Sequence, residues 1–235
     1  MKTDTTLTSK DEVAIAHDAA RGIGYMHNRG VMHRDIKSDN IMLAVGPEGF
    51  RIAKIADLGT AVRFESSKSL PNLLSSMQSH TDLSKTHTLG AGTPLWMAPE
   101  VLKGRHGKAK YGPQADVYSY GIVLWEIHAR SIPYTDVITK NHFELTQKIA
   151  DGLRPVFPTN ISGPVAWYKA LMEKCWAGDP NDRPTFSTIL EIFSSNANSK
   201  SDTSAYASPA AYVKVLDTKS NEYETPVDLT AALQV

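Results

Sequence analysis

The residues best suited to chemistry lie together in residues 31–40, VMHRDIKSDN in one-letter code. Two carboxylates, two cations and an amide follow an apolar pair in this stretch, and a second apolar run follows at residues 41–44. A charge run of this length is by itself most often a solvated turn. An apolar anchor on each side favours a polar loop that is held in place, as binding loops usually are. The stretch is therefore the candidate functional site.

The order of its polar residues resembles the catalytic loop of the protein kinases, His-Arg-Asp-x-Lys-x-x-Asn. Phosphoryl transfer has a loose transition state, so these enzymes mainly position the reactants and offset the charge on the phosphate oxygens. The resemblance implies that Asp35 accepts a hydrogen bond from the substrate hydroxyl, Lys37 faces the transferred phosphate and Asn40 binds magnesium. It also implies that His33 packs rather than reacts and that Met42 lies beneath the adenine of ATP.

A second motif, Asp57-Leu58-Gly59, follows two short apolar runs joined by the turn-rich sequence VGPEG. The two runs predict a β-hairpin. At this place the motif resembles the magnesium-binding Asp-Phe-Gly of the kinases, and Asp57 becomes a second oxygen ligand for Mg²⁺. Leu58 stands where the family usually has Phe, and this apolar replacement is expected to be tolerated.

A third motif closes a long Ser- and Thr-rich stretch. Residues 63–89 show little periodicity and are expected to form the activation segment. Residues 92–100, GTPLWMAPE, resemble the family sequence G-T-x-x-[WY]-x-A-P-E. The resemblance implies that Thr93 forms a hydrogen bond near the catalytic loop and that the stretch before Glu100 receives the protein substrate.

The resemblance also implies regulation by phosphorylation. Arg34 directly precedes Asp35, and in kinases with this pair the arginine binds a phosphate in the activation segment. Thr88 is the first candidate for that phosphate and Thr86 the second, modified by an upstream kinase or by autophosphorylation. The alternative is an unmodified, flexible loop.

Two helices are expected to position the catalytic loop. Ser9 and Glu12 form a capping-box pattern that begins a helix, and residues 29–30, Arg-Gly, end it just before the loop. Residues 115–127 are apolar on nearly every face, which predicts a buried helix with the core around it. By resemblance, Asp116 in this helix accepts backbone hydrogen bonds from the catalytic loop.

Three later helices are predicted, at residues 141–149, at 167–176 and from 186 to about 193. Asn141 with Glu144 marks the start of the first of them. Arg183 precedes the last, and by resemblance it forms a buried ion pair with Glu100. The fold class predicted from these elements is mainly α with a short β-hairpin, as in the C-terminal lobe of the protein kinase-like fold.

Composition limits the location and the partners. The chain has 25 Lys plus Arg against 25 Asp plus Glu, a balance that does not support a nucleic-acid or acidic-membrane partner. One cysteine, Cys175, excludes an internal disulfide and fits a reducing compartment. The N-terminal residues lack an apolar signal region, and no run is long enough to span a membrane. A cytoplasmic, intracellular location is expected.

The resemblance covers residues 9–194, so residues 1–194 are assigned as a kinase domain that is incomplete at its N-terminus. Residues 195–235 are rich in Ser, Ala, Thr and Asn and are predicted to be a disordered or weakly ordered tail. Lys37 indicates a Ser/Thr kinase. The sequences GLRP at 152–155 and RPTF at 183–186 resemble the tyrosine-kinase-like group of Ser/Thr kinases.

The small lobe of a kinase is not recognisable in the chain as given, which has no glycine-rich loop, no strand lysine and no partner glutamate for that lysine. Two hypotheses follow: a Ser/Thr protein kinase represented by its large lobe and inactive alone, or a non-catalytic interaction module. Retention of Asp35, Lys37, Asn40 and Asp57 favours the first, because a scaffold has no physical need for these side chains.

Overall fold

The structure is a computed structural model that describes residues 8–45, 51–64, 93–104, 112–139, 141–158, 166–197 and 227–228. This part is mainly helical with a small amount of antiparallel sheet, as predicted. The helices are α1 (Ser9–Asn28), α2 (Pro99–Lys103), α3 (Pro113–Ala129), α4 (His142–Ala150), α5 (Ala166–Cys175) and α6 (Phe186–Ala197). The strands are β1 (Val31–Met32), β2 (Ile41–Val45), β3 (Arg51–Ile55), β4 (Val62–Arg63) and β5 (Val227–Asp228).

The cap of helix α1 lies one residue earlier than the sequence pattern indicated. Thr8 Oγ1 accepts a hydrogen bond from Asp11 N at 3.2 Å, and Asp11 Oδ2 accepts one from Thr8 N at 2.7 Å. The prediction that Ser9 and Glu12 form the capping box was therefore wrong. Glu12 is buried, and its Oε1 lies 2.7 Å from Arg130 Nη2 just after α3. This tertiary ion pair takes the side chain away from the cap.

Helix α3 is the centre of the molecule, as its continuous apolar sequence predicted. Its residues are buried from Ala115 to His128, and α1 and α5 pack against it while α6 packs against α1 and α5. Gly121 allows the close approach of α5, since a Cβ atom there would lie 2.9 Å from Cys175 Cβ. Among the described residues, no helix has both the length and the apolar character needed to cross a bilayer.

Two small antiparallel sheets flank the candidate catalytic loop. Strand β1 pairs with β4, and β2 pairs with β3 in the predicted hairpin, whose connection at residues 46–50 lies outside the described residues. On its other edge, β2 pairs with β5, where Met42 is opposite Asp228. Helix α6 continues to Ala197, past the predicted end at about Phe193. The division into a domain and a disordered tail stays a prediction.

Candidate active site

The candidate catalytic loop, residues 33–40, lies between β1 and β2 and is held by Asp116 in the first turn of α3. The backbone N–H groups of His33 and Arg34 each donate to the Asp116 carboxylate at 2.9 Å. His27 Nε2 lies 2.8 Å from the same carboxylate. Asp116 is completely buried, and the helix N-terminus favours a negative charge at this place. The backbone contacts expected for Asp116 are thus present.

Three of the predicted catalytic side chains meet in this loop. Lys37 Nζ lies 3.1 Å from Asp35 Oδ2. Asn40 Nδ2 donates to Asp35 Oδ2 at 3.0 Å and to the Asp35 carbonyl oxygen at 2.7 Å. Both side-chain contacts fall on Oδ2, so the carboxylate is held in one orientation. Asp35 is 8% exposed, so a group that reaches it does so in a site largely shielded from water.

His33 joins the loop to the segment that carries Asp57. Its ring is completely buried, with Nε2 2.9 Å from the Ala56 carbonyl oxygen. Asp35 N approaches His33 Nδ1 at 3.4 Å, so the neutral ring with its proton on Nε2 satisfies both contacts. Thr60 Oγ1 donates to the His33 carbonyl oxygen at 2.8 Å. Sequence reasoning missed Thr60, although it directly follows the Asp-Leu-Gly motif.

The residues predicted to bind magnesium are brought near one another by the backbone, because Ala56 N donates to the Asn40 carbonyl oxygen at 2.9 Å. Asp57 has a left-handed backbone, with φ 54°, and its exposed carboxylate accepts a hydrogen bond from Gly59 N at 3.2 Å. Asn40 uses its amide N–H₂ group on Asp35, so its side-chain oxygen takes no part in that contact. An amide oxygen and a carboxylate are ligands that Mg²⁺ prefers, so these two residues fit the ion. Clusters of three or more His, Cys, Asp and Glu that could hold a metal do not occur among the described residues.

The expected pair of Arg183 and Glu100 ties α2 to the segment before α6. Arg183 Nη1 and Nη2 donate to the two carboxylate oxygens of Glu100 at 2.7 and 2.9 Å, a bidentate arrangement. The remaining donors reach the carbonyl oxygens of Ala177 (2.9 Å), Gln114 (3.0 Å) and Gly178 (3.3 Å). The pair therefore fixes the end of the motif that resembles the substrate-binding stretch.

Glu126 in α3 is a site residue that sequence reasoning missed. Its Oε1 accepts a hydrogen bond from Ser38 Oγ at 2.8 Å, and its Oε2 accepts one from Trp96 Nε1 at 2.6 Å. Burial raises the pKa of Glu126 to about 8, while the hydrogen bonds from Trp96 and Ser38 oppose the rise. No sequence signal marked this residue, because it lies in an apolar helix and its partners are far away in the chain.

Several predicted site residues stay predictions. Thr86 and Thr88 lie outside the described residues. Thr93 begins a 3-10 turn that ends at Trp96, but the position of its side chain is not described. Met42 is half-buried in β2, which does not test its proposed contact with adenine. Arg34 has a left-handed backbone with φ 70°.

Comparison with known families agrees with this geometry. The protein kinase domain model matches residues 1–193 of the 235-residue chain. The chain belongs to the protein kinase family.

Its relatives include Ser/Thr kinases of Dictyostelium discoideum. A probable serine/threonine-protein kinase is 32% identical over 209 residues, which cover 88% of this chain and 13% of that protein. The probable serine/threonine-protein kinase drkD is 34% identical over 230 residues, covering 94% and 15%. A probable LIM domain-containing serine/threonine-protein kinase is 34% identical over 180 residues, covering 77% and 23%. The chain thus spans less than a quarter of the length of these relatives.

Proposed function

We propose that this chain is the large lobe of a Ser/Thr protein kinase, which transfers the γ-phosphoryl group of ATP to Ser and Thr hydroxyls of protein substrates. The observation that carries the proposal is the Asp35 carboxylate, oriented by Lys37 and Asn40 in a loop that Asp116 holds in place. The Ser/Thr class is supported by Lys37 and by the printed names of the relatives. Within that class, the tyrosine-kinase-like group remains part of the proposal.

Asp35 and Lys37 have separate roles in the proposed reaction. Asp35 accepts a hydrogen bond from the substrate hydroxyl and receives its proton late, while the hydroxyl oxygen forms a bond to the γ-phosphorus. The bond from that phosphorus to the bridging oxygen breaks, and ADP leaves. Lys37 places its ammonium beside the transferred group and offsets the charge on its oxygens. An ordinary carboxylate suffices, because positioning dominates this chemistry.

Asn40 and Asp57 are the residues that would hold magnesium. The ion neutralises charge on the nucleotide phosphates when it is bound. Met42 would lie beneath the adenine.

Two further parts of the proposal concern regulation and location. A phosphate on Thr88 or Thr86, bound by Arg34, would activate the kinase. The protein would be located in the cytoplasm.

A non-catalytic interaction module is the second candidate. This second candidate is supported by the exposure of Leu58, which is 57% exposed and does not pack against the described core. The retained constellation of Asp35, Lys37 and Asn40 outweighs it, because interaction alone does not require an oriented carboxylate beside an ammonium.

The test is a phosphoryl-transfer assay with ATP and magnesium on a generic Ser/Thr protein substrate. The chain is fused at its N-terminus to the kinase small lobe of one of the D. discoideum relatives. We expect transfer to Ser and Thr, and Asp35→Asn should lower it by about 10²-fold or more. Asp39→Asn, an exposed carboxylate in the same loop, is the matched control. Transfer that survives Asp35→Asn would contradict the proposal, and a fusion that binds nucleotide without transfer would favour the interaction module.

A further inference from the structure

Glu126 contacts two segments that the proposed reaction must bring together. Ser38 directly follows Lys37 in the catalytic loop, and Trp96 ends the 3-10 turn that precedes α2. The Glu126 carboxyl group accepts a hydrogen bond from each, at 2.8 and 2.6 Å. Glu126 is 2% exposed, so both contacts are shielded from solvent.

Other residues of α3 hold the same two segments separately. Asp116 accepts hydrogen bonds from the backbone of His33 and Arg34 at the start of the catalytic loop. Ser119 Oγ donates to the Trp96 carbonyl oxygen at 2.7 Å. Each of these side chains bonds to one of the segments, whereas Glu126 bonds to both. Ser38 and Trp96 are therefore joined through one buried side chain.

We propose that Glu126 is a positioning residue that couples the catalytic loop to the segment Thr93–Trp96, so that a change in one alters the order of the other. This coupling adds to the proposed kinase function, and its biological purpose rests on that proposed function. In that function the stretch before Glu100 receives the substrate, and Lys37 beside Ser38 faces the phosphate. Binding of a substrate near Trp96 would then change the order of the loop that carries Asp35 and Lys37.

The chemistry of the carboxyl group explains why this side chain suits the position. Its two oxygens are fixed on one planar group and each receives a different donor. Loss of one donor leaves a buried oxygen without a partner, which is costly and favours rearrangement of the other contact. Glutamine can keep both bonds, because its oxygen accepts from Trp96 Nε1 while its N–H₂ group donates to the Ser38 hydroxyl. Methionine, of similar size, can make neither.

The experiment measures amide hydrogen exchange in the whole chain, residues 1–235. Trp96→Phe removes the indole N–H group and keeps an aromatic ring. We expect amide exchange in residues 33–41 to become about tenfold faster, which is the order of effect of one lost hydrogen bond. In the described structure residue 96 has no direct hydrogen bond to the Asp35 or Lys37 side chains, so the effect would have to pass through Glu126. Ser38→Ala should likewise speed exchange in residues 93–102.

Two further variants show that the effect passes through Glu126. In a Glu126→Met background, Trp96→Phe should cause no additional change in residues 33–41. Glu126→Gln alone should keep the exchange of both segments near that of the unmodified chain. This rescue by a conservative variant separates positioning from simple filling of space, which methionine also provides.

Trp125→Phe is the matched control. Trp125 is also buried in α3, and its indole donates to the Val156 carbonyl oxygen at 2.9 Å, away from both segments. We expect Trp125→Phe to leave exchange in residues 33–41 unchanged. Unchanged loop exchange in Trp96→Phe, or an equal rise in Trp125→Phe, would overturn the coupling. The readout needs neither nucleotide nor transfer. If the fusion with a kinase small lobe shows no phosphoryl transfer while the exchange results above are obtained, only the proposed function is contradicted and the coupling through Glu126 stands.

Discussion

At the scale of single residues, Asp116 satisfies three donors with one carboxylate. It accepts from the backbone of His33 and Arg34 and lies 2.8 Å from His27 Nε2, all without exposure to water. The backbone of the candidate catalytic loop is therefore held by a side chain 82 residues away in the sequence.

Asp116→Ala should lower the free energy of unfolding by roughly 3 kcal/mol or more, because it leaves buried N–H groups without a charged acceptor. Urea denaturation measures this change. Asp136→Ala is the control, since Asp136 is exposed and its removal should change the free energy by less than about 0.5 kcal/mol. Equal effects of the two substitutions would contradict the role assigned to Asp116.

Glu100 and Arg183 give a second prediction. Glu100→Ala should lower the free energy of unfolding by about 3 kcal/mol, the lower end for breaking a buried pair. The cost is at this end because the Glu100 side chain is 23% exposed and the Arg183 guanidinium keeps carbonyl acceptors. Lys148→Ala breaks the exposed pair with Glu144 on α4 and should cost about 0.5 kcal/mol or less. Thermal and urea unfolding of both variants check the contrast, and a small loss for Glu100→Ala would show that the buried pair is not important for stability.

Glu126 gives a prediction about pH. Burial raises its pKa from the model-peptide value of 4.5 to about 8 in the folded chain. Between these values the unfolded chain loses the proton and the folded chain keeps it. Stability from this group is therefore complete below about pH 4.5 and is lost as the pH rises to about 8. The free energy of unfolding, measured against that of Glu126→Gln, should fall across this window. A rise over the same window would contradict the assignment.

The sequence predicted residues such as Asp35, Lys37 and Asn40 because their identities and spacing are local. It could not predict the contacts of Glu126, whose partners Ser38 and Trp96 are 88 and 30 residues away in the sequence. Such contacts depend on how α3 packs, and an apolar helix sequence does not specify which of its few polar residues will point at which segment.

At the scale of elements, the sequence predicted the position of α3 correctly but not the start of α1. The apolar sequence of α3 predicted a central helix, whereas the cap of α1 was predicted one residue late. Thr8 with Asp11 and Ser9 with Glu12 both fit the capping pattern, but the Glu12 carboxylate contacts Arg130 and His128 instead of the cap. Local patterns thus identify elements, while tertiary contacts decide between neighbouring alternatives.

Gly121 tests the packing of α3 against α5. Alanine at this position gains about 1 kcal/mol of helix propensity. A Cβ atom would, however, lie 2.9 Å from Cys175 Cβ and 3.0 Å from the Trp176 backbone nitrogen, which cannot move independently. We expect Gly121→Ala to lower the free energy of unfolding by about 1–3 kcal/mol. Gly178→Ala, with no atom within 4 Å of the added Cβ, is the control. A stabilising Gly121→Ala would contradict the close packing.

At the scale of the whole molecule, α3 contacts both the candidate catalytic loop and the stretch before α2, through Asp116, Ser119 and Glu126. Family resemblance predicted the central position of α3 and the contact of Asp116 with the loop, but not the contacts of Ser119 and Glu126. The pairing of β5 with β2 was not predicted, because it joins Met42 to Asp228 across most of the chain and two residues carry no recognisable strand pattern. Strand β5 therefore lies beside the strand that carries the proposed adenine contact.

The last prediction concerns nucleotide binding by residues 1–235 as given. Met42 would form one wall of the nucleotide site, with Asn40 and Asp57 toward the phosphates. Small-ligand sites usually bury most of the ligand between opposing walls, and the kinase small lobe supplies the second wall together with the lysine that orients the phosphates. We expect ATP with magnesium to bind weakly or not at all, and no measurable transfer to occur. Isothermal titration calorimetry and a transfer assay check this, with Asp57→Asn and Asp35→Asn as the respective blanks. Micromolar binding that Asp57→Asn abolishes would show that this half of the site is sufficient by itself.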